Sequence, residues 1–311
     1  MLGIDVSKDQ LATALIDPAT KRARWQLDVS NDPKGIAQLL QRTPAEVAWV
    51  LEPTGRYSLS VAQQARAAGR VVLLAPARKA RQFMASIQTR AKTDHLDCVG
   101  LGLFGLSRPL ALYPINSETV ERVQQLLRAR RTLSESLAKV QQQLQELPHA
   151  RAVLTQTATL LREQLKALDK QLASESQHFP AMKQLAQVHG IGLVTSAAVS
   201  ACLKAKQFSR SSQFVAYIGL DIAIRQSGRR AGERGITREG DAELRRLLYL
   251  CAQASLRATG SPFRLQYERE LAKGLSRTAA LCAVARKMAR LCWSMEHHGT
   301  TYDPTRVYRQ N

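Results

Sequence analysis

The chain has 311 residues and carries 45 Lys and Arg against 25 Asp and Glu, a formal net charge of +20 at pH 7. That length supports two or three domains, and that excess points to a polyanionic partner, nucleic acid before acidic lipid, since no amphipathic anchor or lipidation motif is present. No apolar run reaches the roughly 18 residues of a membrane-spanning helix, and the amino terminus starts in a strand with no leader, so a cytoplasmic protein without membrane contact is expected.

Residues 1–112 alternate strand-like and helix-like segments. LGIDVS, LATALID and RARWQLDVS read as three antiparallel strands. A helix at PKGIAQLLQR, a strand at EVAWVLEP, a helix at SLSVAQQARAAG and a buried strand at RVVLLAP follow. Helices carrying Met84, Ile87, Leu96, Leu101 and Leu103 finish the unit. Three strands followed by alternating helix and strand is the order of an RNase H-like α/β domain.

From 113 to 178 the texture changes: glycine is absent and Leu126, Leu133, Val140 and Leu147 recur every seventh residue. Pro148 breaks the pattern, which resumes at Leu154, Leu161 and Leu168. Two heptad helices joined by a break form either an antiparallel hairpin or a dimerising coiled coil. From 179 to 311 a helical domain opens on the turn HGIG (189–192) and runs to YDPTRV. Between these lies a Gly- and Arg-rich loop opening into a helix near Asp241, which is suited to cap it. The five cysteines, Cys98, Cys202, Cys251, Cys282 and Cys292, form no CxxC pair and sit in apolar helical contexts, so they read as reduced core residues and not as a zinc site. His297 and His298 are placed in a final surface turn.

Four carboxylates are the candidate catalytic and metal-binding groups. Asp5 interrupts the apolar run MLGIDVSKD, and Glu52 closes EVAWVLEP. An acid in such a strand is unfavourable unless paired or coordinated. Asp94 and Asp97 lie i, i+3 at a helix start, on one face. Taken singly, that pair suits the helix dipole; taken with the strand acids, it completes a set able to hold divalent metal ions, Mg²⁺ or Mn²⁺.

Residues 53–93 hold no acid at all, while Arg56, Arg78, Lys79, Arg81 and Lys92 are candidate nucleic-acid contacts there. In the second domain Arg225, Arg229, Arg230, Arg245 and Arg246 are the matching candidates. Ser227, within RQSGRR, is a candidate nucleophile, since neighbouring arginines would bind a phosphate beside it and Gly228 lets backbone approach closely. In isolation a serine in such a loop is a turn residue. HGIG reads either as a hairpin presenting amides to phosphate or as a tight helix–helix turn requiring glycine.

Together these blocks resemble the DEDD insertion-sequence transposases, whose members carry a RuvC-like amino-terminal domain and a separate carboxy-terminal transposase domain. GIDVSKDQL, LEPTGRYSLSVA and AKTDHLDCVGL are similar to the segments bearing the family's four acids. HGIGLVTSAAV, FVAYIGL and SGRRAGERGITREGDAELRRLLYL follow the family's order in the second domain. The resemblance implies a bacterial recombinase of the cytoplasm and nucleoid. Its Mg²⁺ would be held by Asp5, Glu52, Asp94 and Asp97, with Ser227 as nucleophile. Its partners would be donor and target DNA, a structured noncoding guide RNA encoded by the element, and other copies of itself in a dimer or tetramer. The composite site would then join both domains, from one chain or from different subunits.

Two positions depart from the family pattern. His189 stands where a proline usually precedes GIG, and Asp221-Ile222-Ala223 lacks a proline expected after YIGL. A metal-dependent junction resolvase, using water in place of Ser227, is the competing enzyme, and a noncatalytic nucleic-acid scaffold the competing binding protein. No zinc finger or RNP motif is present to read bases, and aromatic residues amount to 5%, too few for stacking to be the main source of affinity.

Overall fold

The computed structural model describes residues 1–87, 94–223, 226–227, 230–231 and 235–307, with backbone alone at 94, 95, 226, 227, 230 and 231. The chain divides into two compact units, Met1–Ile115 and Asn116–Asn311.

The first unit is a mixed five-stranded sheet in the order β3-β2-β1-β4-β5. Strands β1 (Leu2–Val6), β2 (Gln10–Ile16) and β3 (Ala23–Ser30) are antiparallel neighbours. Strands β4 (Trp49–Leu51) and β5 (Val72–Leu74) run parallel to β1. Helices α1 (Pro33–Arg42) and α2 (Arg56–Ala67) make the crossovers, and α3 (Ala77–Ile87) and α4 (Asp94–Ser107) follow. The start of α1 is set by chemistry legible in the sequence: Asp32 accepts from the Gly35 N–H at 2.8 Å, and Pro33 occupies the first turn.

Alternation along the strands sorts their side chains into two layers. Leu2, Ile4, Trp49, Leu51 and Val72 pack with Ile36, Leu39, Val61 and Ala65 of α1 and α2. On the opposite face Val50 and Ala75 meet Leu101 and Phe104, while Ala12, Ala14 and Ile16 meet Cys98. Helix α4 therefore covers the face to which Gly3 and Asp5 of β1 belong.

Arg70, one of the basic residues of the acid-free stretch, is structural. Its Nη2 donates to the carbonyls of Leu40 at 2.8 Å and Thr43 at 2.7 Å, closing the carboxyl end of α1. Arg70→Ala is expected to destabilise the first unit by about 2 kcal/mol, since charged donors to part-buried carbonyls are removed. A lowered urea midpoint, with faster amide exchange in the last turn of α1, checks this.

The second unit is helical. Helices α5 (Glu118–Glu146) and α6 (Arg151–Ser174) fold back on each other across a 3₁₀ turn at Pro148–Ala150. An ion pair from Arg130 Nε to Asp169 at 2.6 Å ties them, so the heptad stretch forms a hairpin within one chain. Its root packs on α7 (Pro180–Leu185) and α8 (Leu193–Ala205) through Val120, Val123, Leu172, Met182 and Ala197. Helices α9 (Ser211–Tyr217), α10 (Ala242–Ser255), α11 (Pro262–Ala272), α12 (Arg277–His298) and α13 (Pro304–Val307) complete the unit. Its main core is centred on Phe214, Leu248, Phe263 and Met288.

Within HGIG, Gly190 has φ 88°, and a Cβ there would lie 2.3 Å from the Cys251 carbonyl oxygen of α10. The glycine is spent on close helix packing, which is the turn reading of this motif. His189 Nδ1 lies 2.8 Å from the Tyr302 hydroxyl, so the residue replacing the family's proline ties this turn to the YDP segment. His297 and His298 are exposed, as expected of a surface position, but they are the last two residues of α12 and not a turn; the helix stops at left-handed Gly299. Four of the five cysteines are buried and none is disulfide-bonded.

Candidate active site

Strand register brings the acids together. Leu51 of β4 pairs with Ile4 of β1, so Glu52 emerges beside Asp5 on a strand about 4.8 Å away. Val50 packs on the α4 face, and Glu52, two residues on, belongs to the same face. Helix α4 brings Asp97 over that edge because it approaches β1 closely. A Cβ at Gly3 would fall 2.0 Å from the Cys98 carbonyl oxygen and 2.4 Å from the Gly102 nitrogen. Only glycine at position 3 permits that approach.

The electrostatics report the same gathering. Burial, then the negative charge of Asp5, pushes the Glu52 carboxyl above the usual value. Asp97 adds to the push, and Arg81 on α3 opposes it. The Cys98 thiol below is pushed up to about 12, by burial first and also by Asp5 and Asp28. Half-buried carboxylates placed near one another are unfavourable unless paired or coordinated, and hard oxygens are the donors a divalent cation takes. Asp5, Glu52 and Asp97 are the described carboxylates whose oxygens would have to draw together to hold such a cation. Asp94 begins α4 one turn before Asp97, and its side chain lies outside the described set. Among the described residues no group of three or more His, Cys, Asp or Glu is placed to hold a metal ion.

Asp28 was not singled out in the sequence. It pairs with Ala12, which pairs with Asp5, so a row across the sheet reads Asp28, Ala12, Asp5. The signal was available: in RARWQLDVS, Trp25, Leu27 and Val29 alternate onto the other face, leaving Asp28 on this one.

The candidate basic residues separate. Arg81, exposed on α3, acts on Glu52. Lys79 is exposed on the same helix, and Arg78 there has an interaction of its own. Arg56 begins α2 and lies over the Tyr57 ring at 5.1 Å. Lys92, Arg225 and Arg229 lie outside the described residues.

Ser227 sits in the second unit, where two short ladders replace the irregular loop expected. Strand β6 (Ile222–Ala223) pairs with β9 (Gly235–Ile236), and β7 (Gln226–Ser227) pairs with β8 (Arg230–Ala231), Ser227 opposite Arg230. Asp241 caps the following α10, as its position predicts, accepting from Glu243 and Leu244 N–H groups at 3.0 Å each. Arg246 is engaged by Glu243 through Nε at 2.9 Å and Nη2 at 2.6 Å, whereas Arg245 Nη1 donates to the Ile218 carbonyl at 2.9 Å.

A carboxylate cluster beside β1 and β4 of a mixed α/β sheet, in a strongly basic chain with a separate helical unit, defines a DEDD-type protein. Residues 2–175 match the DEDD transposase model of the IS110 group, and residues 182–268 match the model described as "Transposase IS116/IS110/IS902 family". The chain belongs to the IS110-family transposases. It is 29% identical over 140 residues to the "Probable family 20 transposase" of Pseudomonas aeruginosa, covering 44% of this chain and 41% of that one. To the "Insertion element IS110 uncharacterized 43.6 kDa protein" of Streptomyces coelicolor it is 27% identical over 138 residues, 44% and 34% of the two chains. To the "Transposase for insertion sequence element IS1328" of Yersinia enterocolitica it is 28% identical over 145 residues, 43% and 41%. These matches thus span between a third and about two fifths of the relatives' own lengths. Among the described residues, no helix is long and apolar enough to cross a membrane.

Proposed function

We propose that this chain cuts and rejoins DNA as the transposase of an insertion sequence, by a metal-dependent reaction in which Ser227 is the nucleophile. The observation that carries this reading is the gathering of Asp5, Glu52 and Asp97 at the α4 face of the sheet. The strand order and crossovers are read as RuvC-like, and Asp94 as the fourth ligand. Asp5, Glu52, Asp94 and Asp97 would hold Mg²⁺ or Mn²⁺, which when bound supplies positive charge to the phosphate oxygens. The Ser227 hydroxyl gives up its proton to solvent water, which returns one to the departing oxygen, as Oγ bonds phosphorus. The phosphodiester's bond to the leaving strand breaks, and the departing oxygen takes up a proton. Reversal by the hydroxyl of a new strand rejoins the DNA, with the phosphoserine link conserving the bond energy between the steps. Arg230, opposite Ser227 in the ladder, and the arginines flanking it belong to phosphate binding.

Choice of sequence is assigned to a structured noncoding RNA of the element, consistent with the absence of a base-reading motif. The α5–α6 hairpin, as a heptad element between RuvC-like and transposase domains, is assigned to assembling a dimer or tetramer.

The competing reading is a resolvase using the same acids and water. It draws support from the fact that Asp5, Glu52 and Asp97 all belong to the first unit alone. Nicked or mismatched substrate separates the two. On a denaturing gel, wild type is expected to leave protein covalently joined to DNA, and Ser227→Ala to leave none. Cleavage by Ser227→Ala at the wild-type rate removes the serine mechanism and leaves the resolvase.

A further inference from the structure

Three arginines of the second unit meet at one turn, and a fourth stands behind them. Arg286 Nε of α12 donates to the Leu220 carbonyl at 2.7 Å, and Arg245 Nη1 of α10 to the Ile218 carbonyl at 2.9 Å. The Arg238 N–H, on a residue held at φ 56°, donates to the Gly219 carbonyl. The Cys282 thiol senses all three guanidiniums, although burial outweighs them and raises its pKa. Arg290 stands one turn beyond Arg286 on α12. Burial, then the charge of Arg290, lowers the pKa of Arg286.

Nearby acids offset this charge only in part. Asp221 and Glu270 act on Arg286, but Asp221 accepts from the Thr237 hydroxyl, and Glu270 pairs with Lys273 at 3.2 Å. Glu243, Glu270 and Glu296 of this unit pair instead with Arg246, Lys273 and Lys204. Two main-chain carbonyls take one donor each from Arg286 and Arg245, out of the five that a guanidinium carries. Pinning arginines by carbonyls while their charges repel is unfavourable unless an anion joins them.

We propose that Arg238, Arg245, Arg286 and Arg290 form a binding site for the phosphodiester backbone of a nucleic-acid strand, at the foot of the arm that carries Ser227. The turn 218–221 leads into β6, and β9 leads back to Thr237 and Arg238, so this turn is where the arm begins and ends. Seven residue steps lead from Leu220 to Ser227, a reach of at most about 25 Å. Successive base steps along a duplex strand rise about 3.4 Å, so the site serves a phosphate several nucleotides from the one that reacts. The arginines are positioning residues: they fix the register of the strand against Ser227. This site rests on the reading of Ser227 as the nucleophile on a nucleic-acid strand.

The test is binding without chemistry. Full-length protein in EDTA is titrated with fluorescein-labelled mixed-sequence duplex DNA, and separately with a folded RNA, across a series of KCl concentrations. The double variant Arg238→Gln/Arg290→Gln removes two exposed side chains, and its melting curve by circular dichroism confirms that it is folded. Its affinity for DNA, RNA or both is expected to fall about tenfold, with the salt slope shallower by about one for each phosphate no longer neutralised. Arg286→Lys, which keeps charge without the fork, is expected to lose less than Arg286→Gln. The control Arg151→Gln/Arg162→Gln removes two exposed arginines from α6. Unchanged affinity and slope for both ligands, or a loss no larger than the control's, overturns the site. Displacement of both nucleic acids from the wild type by inorganic phosphate at fixed ionic strength makes it a free-anion site and also overturns it. Ser227→Ala is expected to bind as wild type in EDTA. Failure of the covalent intermediate therefore leaves this measurement standing, and failure here leaves the nucleophile untouched.

Discussion

Glu52→Gln is expected to slow strand cleavage about a thousandfold, the scale on which a missing charge-stabilising group acts, while making the first unit more stable. Burial, Asp5 and Asp97 all raise the Glu52 pKa in the folded chain, against the pull of Arg81. A carboxyl whose folded value exceeds its unfolded one binds more proton in the native state between the two values. Stability therefore falls as pH rises through that window and stays lower above it. Glutamine carries no such charge, so at pH 7 the variant's Tm exceeds that of wild type. The curves converge below the ordinary glutamate value of 4.5, where folded and unfolded chains are both protonated. Magnesium reverses the order by relieving the repulsion in wild type alone. At a tenfold excess over Kd, binding to the native state contributes about 1.4 kcal/mol. Calorimetry at pH 7 and pH 4, with and without Mg²⁺, reads all three effects. A variant that cleaves at the wild-type rate, or that melts lower than wild type at pH 7 in EDTA, removes Glu52 from the site.

Much of this arrangement follows from short-range chemistry. Asp32 and Pro33 fix the start of α1 within the expected PKGIAQLLQR, and Asp241 caps α10 where its position indicates. Asp5 stood out because it interrupts an apolar strand and Glu52 because it closes one, while the parallel register of β1 and β4 is what sets them side by side. What sequence spacing cannot carry is long-range coincidence. Arg238, Arg245 and Arg286 are scattered over two helices and a strand end, and only the 218–220 turn collects them. Arg70 looks like its basic neighbours, yet two carbonyls 27 and 30 residues earlier in the chain occupy it. Asp28 required the register of three strands. The strands flanking Ser227 are two residues each, too short for any periodicity to declare them. The fork of Arg246 was within reach of the sequence, because Glu243 precedes it at i, i+3 on a helix face.

Gly3→Ala is expected to remove activity by a different route, through the fold. Ordinary van der Waals contact begins near 3.4 Å, and the added Cβ would lie 2.0 Å from the Cys98 carbonyl oxygen, so roughly 1.4 Å of separation is missing. The opposing atoms are backbone of α4 and cannot turn aside as a side-chain tip would. The same seam is tight from the helix side, since a Cβ at Gly102 would itself stand 2.4 Å from Ile16 Cγ1 of β2. The helix must lift off β1 or slide along it. Overpacking of this kind destabilises by about 3 kcal/mol. Asp97 precedes Cys98 and moves with it, and a displacement of about 1 Å in a positioned group lowers catalysis roughly a hundredfold. Gly3→Ala should therefore lose both stability and cleavage, where Glu52→Gln gains one and loses the other. Guanidinium unfolding beside a cleavage assay at a temperature where both variants are folded separates the two causes. If Gly3→Ala unfolds at the wild-type midpoint, α4 does not hold Asp97 by packing on β1, and the acids must be gathered by something other than the close approach of this glycine pair.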